Sequence, residues 1–416
     1  MPTTTEQEVL AIDGGEPVRD EKTRPWPRWP LVNEDEWREQ VEPALRRVYL
    51  SRSEGLPGIE SESFASRFAA FCGAAYGKMV PSGTCALGAA LTGVLDLDTW
   101  GDGGEVILPN FTFIATASSA LDRRCTLAFV DIDPDTLTID PDQVEAAIIP
   151  GKTRAIVAVH MGGHPANMPR LQAIARRHDL KLIEDAAQAH GAVCEGRGAG
   201  AFSDAAAFSF QSSKNLTSGE GGIVVTNDED VFHRVAAFMN VGRDPGGARW
   251  EYPRIGWNYR PSEYLAALLS VRLEDLETQI EHRNRMADLL VGMVESVPGV
   301  APPRKAPWCT RHGYHLCAFR VDTNHFGGRP REDVTSALQA EGVPCFPGYP
   351  HPLSESPGLQ HHRSKYPDTI RVLDCPHAEA ASRQSMWLSQ ETLLAEEDDM
   401  VDIARAFAKV QRAFAD

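Results

Sequence analysis

Between residues 105 and 226 the chain repeats one pattern, a short unbroken apolar run closed by a turn. The runs are Glu105–Leu108, Leu127–Asp131, Arg154–His160, Lys181–Asp185, Ala205–Phe210 and Gly222–Thr226. A strand wetted on one face alternates apolar and polar residues, whereas an unbroken apolar strand is covered on both. Helical stretches stand beside them. Glu62–Phe71 puts Phe64, Phe68 and Phe71 at helical spacing, Thr84–Leu95 is opened by Ser82-Gly83-Thr84, and Met168–His178 separates two of the runs. Buried strands alternating with helices predict an α/β domain with a mainly parallel sheet covered on both sides.

The flanks read differently. Residues 1–30 form an arm: Arg24-Pro25-Trp26-Pro27-Arg28-Trp29-Pro30 excludes helix and central strand, because proline fixes φ and lacks a donor. Its two tryptophans need burial, against the body or a second subunit. Tyr264–Ser296 reads as one long helix linking two domains. Beyond it, His315–Val321 reads as a strand, Arg331–Gly342 and Glu396–Phe414 as helices, and residues 343–366 as Pro- and His-rich loops. The expected organisation is an arm (1–30), a large domain (31–260), and a linking helix with a smaller C-terminal α+β domain (261–416), within the two or three domains that 416 residues suit.

The formal charge of −17 argues against nucleic acid as a partner, since a phosphate-backbone binder shows a basic face. The eight cysteines are scattered with no C-x-x-C pair, which reads as reduced thiols and speaks against structural zinc. No apolar run approaches a membrane span, and Met1–Leu10 is polar and acidic, unlike a secretory signal. The expectation is a cytoplasmic enzyme acting on a soluble small molecule.

Four stretches carry chemistry. Phe208–Gly222 sets one lysine, Lys214, after an apolar strand, among hydroxyl residues and before three glycines. A confined lysine sheds its proton and attacks carbonyls, and the hydroxyls and glycine amides beside it suit a phosphate dianion. Asp185 ends a buried strand, at the sheet edge where α/β folds bind ligands, and Gln188 follows three residues later. A carboxylate buried there needs a cation, and a protonated ring nitrogen supplies one. Pro81–Leu87 places Gly83 and Thr84 at a helix start, an anion site in form. Leu108–Thr116 offers Phe111 and Phe113 for a flat ring. Taken singly, each has an ordinary reading: a loop lysine, an N-cap aspartate, a capped helix, a core phenylalanine. Taken together they make one site, with a phosphate cradle, a ring platform, an acid for a pyridinium nitrogen and a lysine for an aldehyde. The molecule that uses all four is pyridoxal phosphate.

With these residues in hand, the chain resembles the DegT/DnrJ/StrS-type sugar and cyclitol aminotransferases. The Gly14–Arg19 arm, the Trp-Pro pairs, the Ser82-Gly83-Thr84 turn, the Glu184–Gly191 run and Lys214–Gly222 fall in the family order. The resemblance implies the aspartate-aminotransferase-like fold (pyridoxal-phosphate fold type I), whose large domain holds a mainly parallel seven-stranded sheet. It implies that Lys214 holds the cofactor covalently and moves the substrate proton, and that Asp185 pairs with the ring nitrogen. Gln188 would bond the phenolic oxygen, Gly83, Thr84 and Ser209 the phosphate, and Phe113 would stack on the ring in preference to Phe111. Asn258, in Gly256–Arg260, would reach the phosphate from a second subunit, making the enzyme a homodimer with shared sites; Arg260 would lie near.

The motifs are most similar to the branch that aminates scyllo-inosose-type ketones, and they also resemble 3-amino-5-hydroxybenzoate synthases. Glutamine or glutamate is the implied amino donor, and natural-product biosynthesis the implied setting. Asn240–Arg243 lacks the histidine common in nucleotide-sugar members, and Ser389-Gln390 replaces histidines of the aminobenzoate relatives. Three readings follow: amination of a cyclic hydroxylated ketone, a dehydrating and aromatising reaction, or a non-catalytic cofactor-binding partner. His160, Tyr314-His315 and Tyr349–His351 are candidate substrate contacts, whereas the Gly-Gly between His160 and His164 excludes a zinc-binding helix.

Overall fold

The computed structural model describes residues 9–52, 58–97, 102–248 and 250–415; the first eight residues of the expected arm lie outside that set. The apolar runs are strands of one sheet: β1 (Tyr76–Val80), β2 (Glu105–Pro109), β3 (Thr126–Val130), β4 (Thr153–Val159), β5 (Lys181–Asp185), β6 (Ala205–Ser209), β7 (Gly222–Thr226) and β8 (Ile370–Val372). Their order is β1-β7-β6-β5-β4-β2-β3-β8. Only β7 runs against its neighbours. The implied seven-stranded sheet thus needs one correction. Seven strands come from residues 76–226, but an eighth is contributed from far down the chain. Its Arg371 fixes it by a two-pronged contact to the buried Glu105, Nη2 to Oε1 at 2.7 Å and Nε to Oε2 at 3.1 Å.

Helices cover both faces. On one, Ile59–Cys72 sets Phe68 edge-on against Phe208 and Phe210, with ring centres 5.0 and 5.2 Å apart. The carboxylate of Glu263, first residue of the long helix Glu263–Val294, accepts from the amides of Gly58, Glu60 and Ser61 at 3.0–3.3 Å and so caps that helix from outside. On the other face, Gly83–Leu95 buries small residues against Val224, Val235 and Phe238.

Past the long helix, Val300–Ala301, Leu316–Val321, Ser385–Ser389 and Cys345–Pro347 form an antiparallel four-stranded sheet. Alternation sorts its side chains. Cys317, Phe319, Met386 and Leu388 join the core under the helices Arg331–Ala340 and Glu397–Ala415. Leu316, Trp387 and Ser389 turn the other way, toward the large sheet. The stretch 343–366 is therefore less irregular than expected: it holds the strand Cys345–Pro347 and the helix Pro357–Lys365, on which His361 and His362 lie.

The arm packs on its own chain's C-terminal part. Arg19 and Arg24 both meet Asp399 and Asp402, and the buried Glu341 accepts from the amides of Ala11 and Val18 and from Lys409. Trp26 donates to the Gly342 carbonyl at 2.9 Å. Among the described residues no helix is long and apolar enough to cross a membrane.

Candidate active site

The carboxyl ends of β1, β2, β4, β5 and β6 open into a cavity of about 840 Å³, roofed by the small sheet. Seven of the eight residues expected at the site line it: Gly83, Thr84, Phe113, Asp185, Gln188, Ser209 and Lys214.

Lys214 follows β6. The residue is only partly buried, but its amine is desolvated, and that burial draws its pKa down to about 8 despite the opposing charge of Asp185. Nζ lies 3.5 Å from Nε2 of His315, whose own pKa burial holds far below the usual value, so a neutral ring faces the amine. Asp185, the last residue of β5, is buried. Its Oδ2 accepts from the Thr116 hydroxyl at 2.7 Å and its Oδ1 from the Ala187 amide at 3.2 Å. Burial raises its pKa, and these two donors counter it only in part.

The turn after β1 builds an anion cradle. Ser82 caps the helix Gly83–Leu95 by accepting from the Cys85 amide, and Ala86 bonds the Ser82 carbonyl. The amides of Gly83 and Thr84 have no acceptor among the described residues, at the positive end of a helix. A Cβ on Gly83 would lie 2.6 Å from that of Ser209, and one on Gly222 would lie 2.3 Å from the Ser82 carbonyl oxygen. Only glycine lets the three segments close this tightly.

Phe113, at the N-cap of the helix Ile114–Asp122, is 56% exposed and faces the cavity, whereas Phe111 is 1% exposed and packs behind on Tyr349 and Trp387. Gln188 accepts from the Gly162 amide at 2.7 Å, and the Tyr349 hydroxyl interacts with it. Asn258 does not line this cavity; it is exposed on a loop bridged to Asn240. Arg260, near it, donates to Asn240 Oδ1 at 3.1 Å.

His160 is corrected. It is fully buried outside the cavity, with Nδ1 accepting from the Ala166 amide and Nε2 2.8 Å from Glu184. It supports β5 from behind and is not a substrate contact. Burial would raise the Glu184 carboxyl, but His160 and the neighbouring donors hold it below the usual value. Of the C-terminal candidates, His315 and Tyr349 reach the cavity; Tyr314 and His351 do not line it. Four further wall residues carried no recognised role in the sequence: Trp29, Phe346, Trp387 and Glu391.

The residues fit pyridoxal phosphate on structural grounds. A buried carboxylate lacks a bonded cation, two helix amides lack acceptors, the close-packed glycines leave a groove rather than side chains, and a weakened lysine base faces the same space. These features define a pyridoxal-phosphate enzyme of fold type I. The chain belongs to the DegT/DnrJ/EryC1/StrS aminotransferase family, whose model matches residues 36–407. It is 38% identical, over 97% of each chain, to an L-glutamine:2-deoxy-scyllo-inosose aminotransferase of Streptoalloteichus tenebrarius. It is also 38% identical, over 96% of each, to one of Streptomyces kanamyceticus. Among solved structures it superposes on 3-amino-5-hydroxybenzoic acid synthase with a TM-score of 0.83, at 29% identity, over 93% of this chain and 99% of that one. A complex of S. venezuelae DesV with a ketimine intermediate gives 0.80 at 34% identity, over 91% and 95%.

Proposed function

We propose that this aminotransferase moves the amino group of L-glutamine to a scyllo-inosose-type cyclitol ketone, in the cytoplasm, as a homodimer whose sites are shared. The observation that carries the substrate class is the cavity wall. Trp29, Phe346, Tyr349 and Trp387 are flat apolar faces, and Ser389, Glu391 and Gln188 are polar groups set between them. Such a wall complements a six-membered carbocycle, C–H faces on rings and hydroxyls on oxygens. The near full-length identity to glutamine:deoxy-scyllo-inosose aminotransferases supports the same reading.

Bound here, pyridoxal phosphate supplies an electron sink and a carbonyl that carries nitrogen between two substrates. Asp185 keeps the ring nitrogen protonated, because a buried carboxylate favours a cation beside it. Thr116 holds that carboxylate in place and favours its ionised form. Lys214, with its lowered basicity, takes and returns the substrate α-proton near neutral pH. Gly83, Thr84 and Ser209 would hold the phosphate, Phe113 would face the ring and Gln188 would bond its oxygen. Asn258 would serve the partner's phosphate, a reading that its exposure in its own chain supports.

The test is to charge the holoenzyme with L-glutamine, then screen cyclitol and sugar ketones for return of its original visible spectrum. Scyllo-inosose-type ketones restore it. A screen in which only nucleotide sugars do so removes the cyclitol assignment. The likeness to 3-amino-5-hydroxybenzoic acid synthase favours a second reading, dehydration with aromatisation. Release of an aminobenzoate in the same assay selects it.

A further inference from the structure

Behind the aromatic wall of the cavity sits a cation that makes no salt bridge among the described residues. Arg283, on the long helix, is fully buried. Its Nη2 donates to Gln390 Oε1 and to Gln279 Oε1, while Nε and Nη1 have no partner. Glu391 acts on it through space only. Gln390 is fully buried too, and its Nε2 is unpartnered. The Trp29 ring centre lies 5.5 Å from the guanidinium carbon, and the indole nitrogen is again buried and unpartnered. Four unmatched nitrogens thus stand on three adjoining side chains, and every one is a donor. Burial brings the Arg283 pKa down to about 9, which leaves it charged at neutral pH. An unmatched buried donor costs about 1–3 kcal/mol, more when charged, so such a cluster calls for an acceptor. Its chemical complement is a small anion with two oxygens.

Its position indicates which anion. Trp29, Ser389 and Glu391, which adjoin Arg283 or Gln390, line the active-site cavity. His315, within electrostatic reach of Arg283, is the residue 3.5 Å from the Lys214 amine. Among this chain's described residues Lys214 is the only lysine or arginine in that lining, and a bond to the cofactor would remove it as a carboxylate partner. An α-amino acid donor nevertheless arrives with its carboxylate charged. On the far side of Trp29 lies a second hollow, of about 290 Å³, bordered by Asn33 and Gln279, which gives the indole room to yield. We propose that Arg283, with Gln390 and the indole N–H of Trp29, binds the α-carboxylate of the amino donor. The inference rests on the glutamine-dependent reading above.

The experiment separates the two half-reactions of the holoenzyme. In Arg283→Met the KM for L-glutamine rises roughly 10- to 100-fold, while the ketone half-reaction changes by less than about twofold. Arg283→Lys retains part of the donor affinity. L-Glutaminol, which lacks only the α-carboxylate, reacts equally slowly with parent and Arg283→Met. As a readout independent of turnover, α-methyl-L-glutamine, which has no α-proton to lose, raises the thermal midpoint of the parent and not of Arg283→Met. Equal losses in both half-reactions would mean a structural role and overturn the proposal. So would an unchanged donor KM alongside stabilisation by sodium chloride or acetate equal to that by α-methyl-L-glutamine, which would assign the site to a free anion. A chain that develops no visible band with pyridoxal phosphate would instead defeat the underlying reading.

Discussion

The chemistry of this site depends on how far single side chains are pushed from their solution behaviour. Lys214 is the clearest case, because loss of water lowers its pKa to about 8. The amine must be neutral to attack an aldehyde, so the rate at which unloaded protein captures pyridoxal phosphate rises with pH through about 8 and then levels. Stopped-flow absorbance checks this; a rate that climbs on beyond pH of about 10 would assign Lys214 an ordinary pKa. Thr116 gives a second test. Its hydroxyl bonds the ionised form of Asp185, so Thr116→Val raises the Asp185 pKa further. The acidic limb of the kcat profile moves to higher pH, and turnover at neutral pH falls by about tenfold. Asp185 was legible in the sequence because it ends an apolar run. Thr116 was in view but without a role, since nothing local tells that its hydroxyl meets a residue 69 positions away.

Elements set these side chains in place, and the helix Gly83–Leu95 matters most among them. Its start is held against β6 and β7 by two glycines with no space for a side chain. Gly83→Ala must therefore push Ser209 away, and the dissociation constant for pyridoxal phosphate rises by at least about tenfold while far-ultraviolet dichroism stays normal. Fluorescence titration of the apoenzyme measures it. Long or fully apolar elements were readable because their signal is local: the helix read as Tyr264–Ser296 spans Glu263–Val294, and the run at Lys181–Asp185 is β5. The two- and three-residue strands Val193–Cys194, Arg197–Gly198 and Cys309–Arg311 form a small separate sheet, too short to show any period. β8 was missed for the same reason. Glu263 escaped notice as a cap because the helix it serves begins some 200 residues earlier. Phe111 and Phe113 share one loop, and only the fold displays that the first faces the core and the second the cavity.

At the scale of the whole molecule, one exposed apolar surface and one internal clasp can each be tested. Around Asn258 the loop presents Trp250, Tyr252, Ile255 and Trp257, all about half-exposed or more. Apolar residues in that density are what a twofold interface covers. If Asn258 serves the partner's site, mixing Lys214→Ala chains with Asn258→Ala chains regenerates one intact site per hybrid dimer, or about a quarter of wild-type activity after random exchange. No recovery on mixing would confine Asn258 to its own chain. The clasp is β8. Arg371→Met removes its two-pronged hold on Glu105 and leaves Lys152 as the remaining cation, 3.2 Å away. Stability falls by about 1–3 kcal/mol, read from urea midpoints.

That clasp bears on how a substrate gets in. The C-terminal part is joined to the rest at several places, among them the long helix Glu263–Val294, the hydrogen bonds of β8 to β3 and the pairing of Cys309–Arg311 with Val193–Cys194. Attachments so far apart in the chain oppose the clamshell motion that a single hinge would permit. The doorway is then a matter of side chains and short loops at its rim, and the tempo of each catalytic cycle belongs to them.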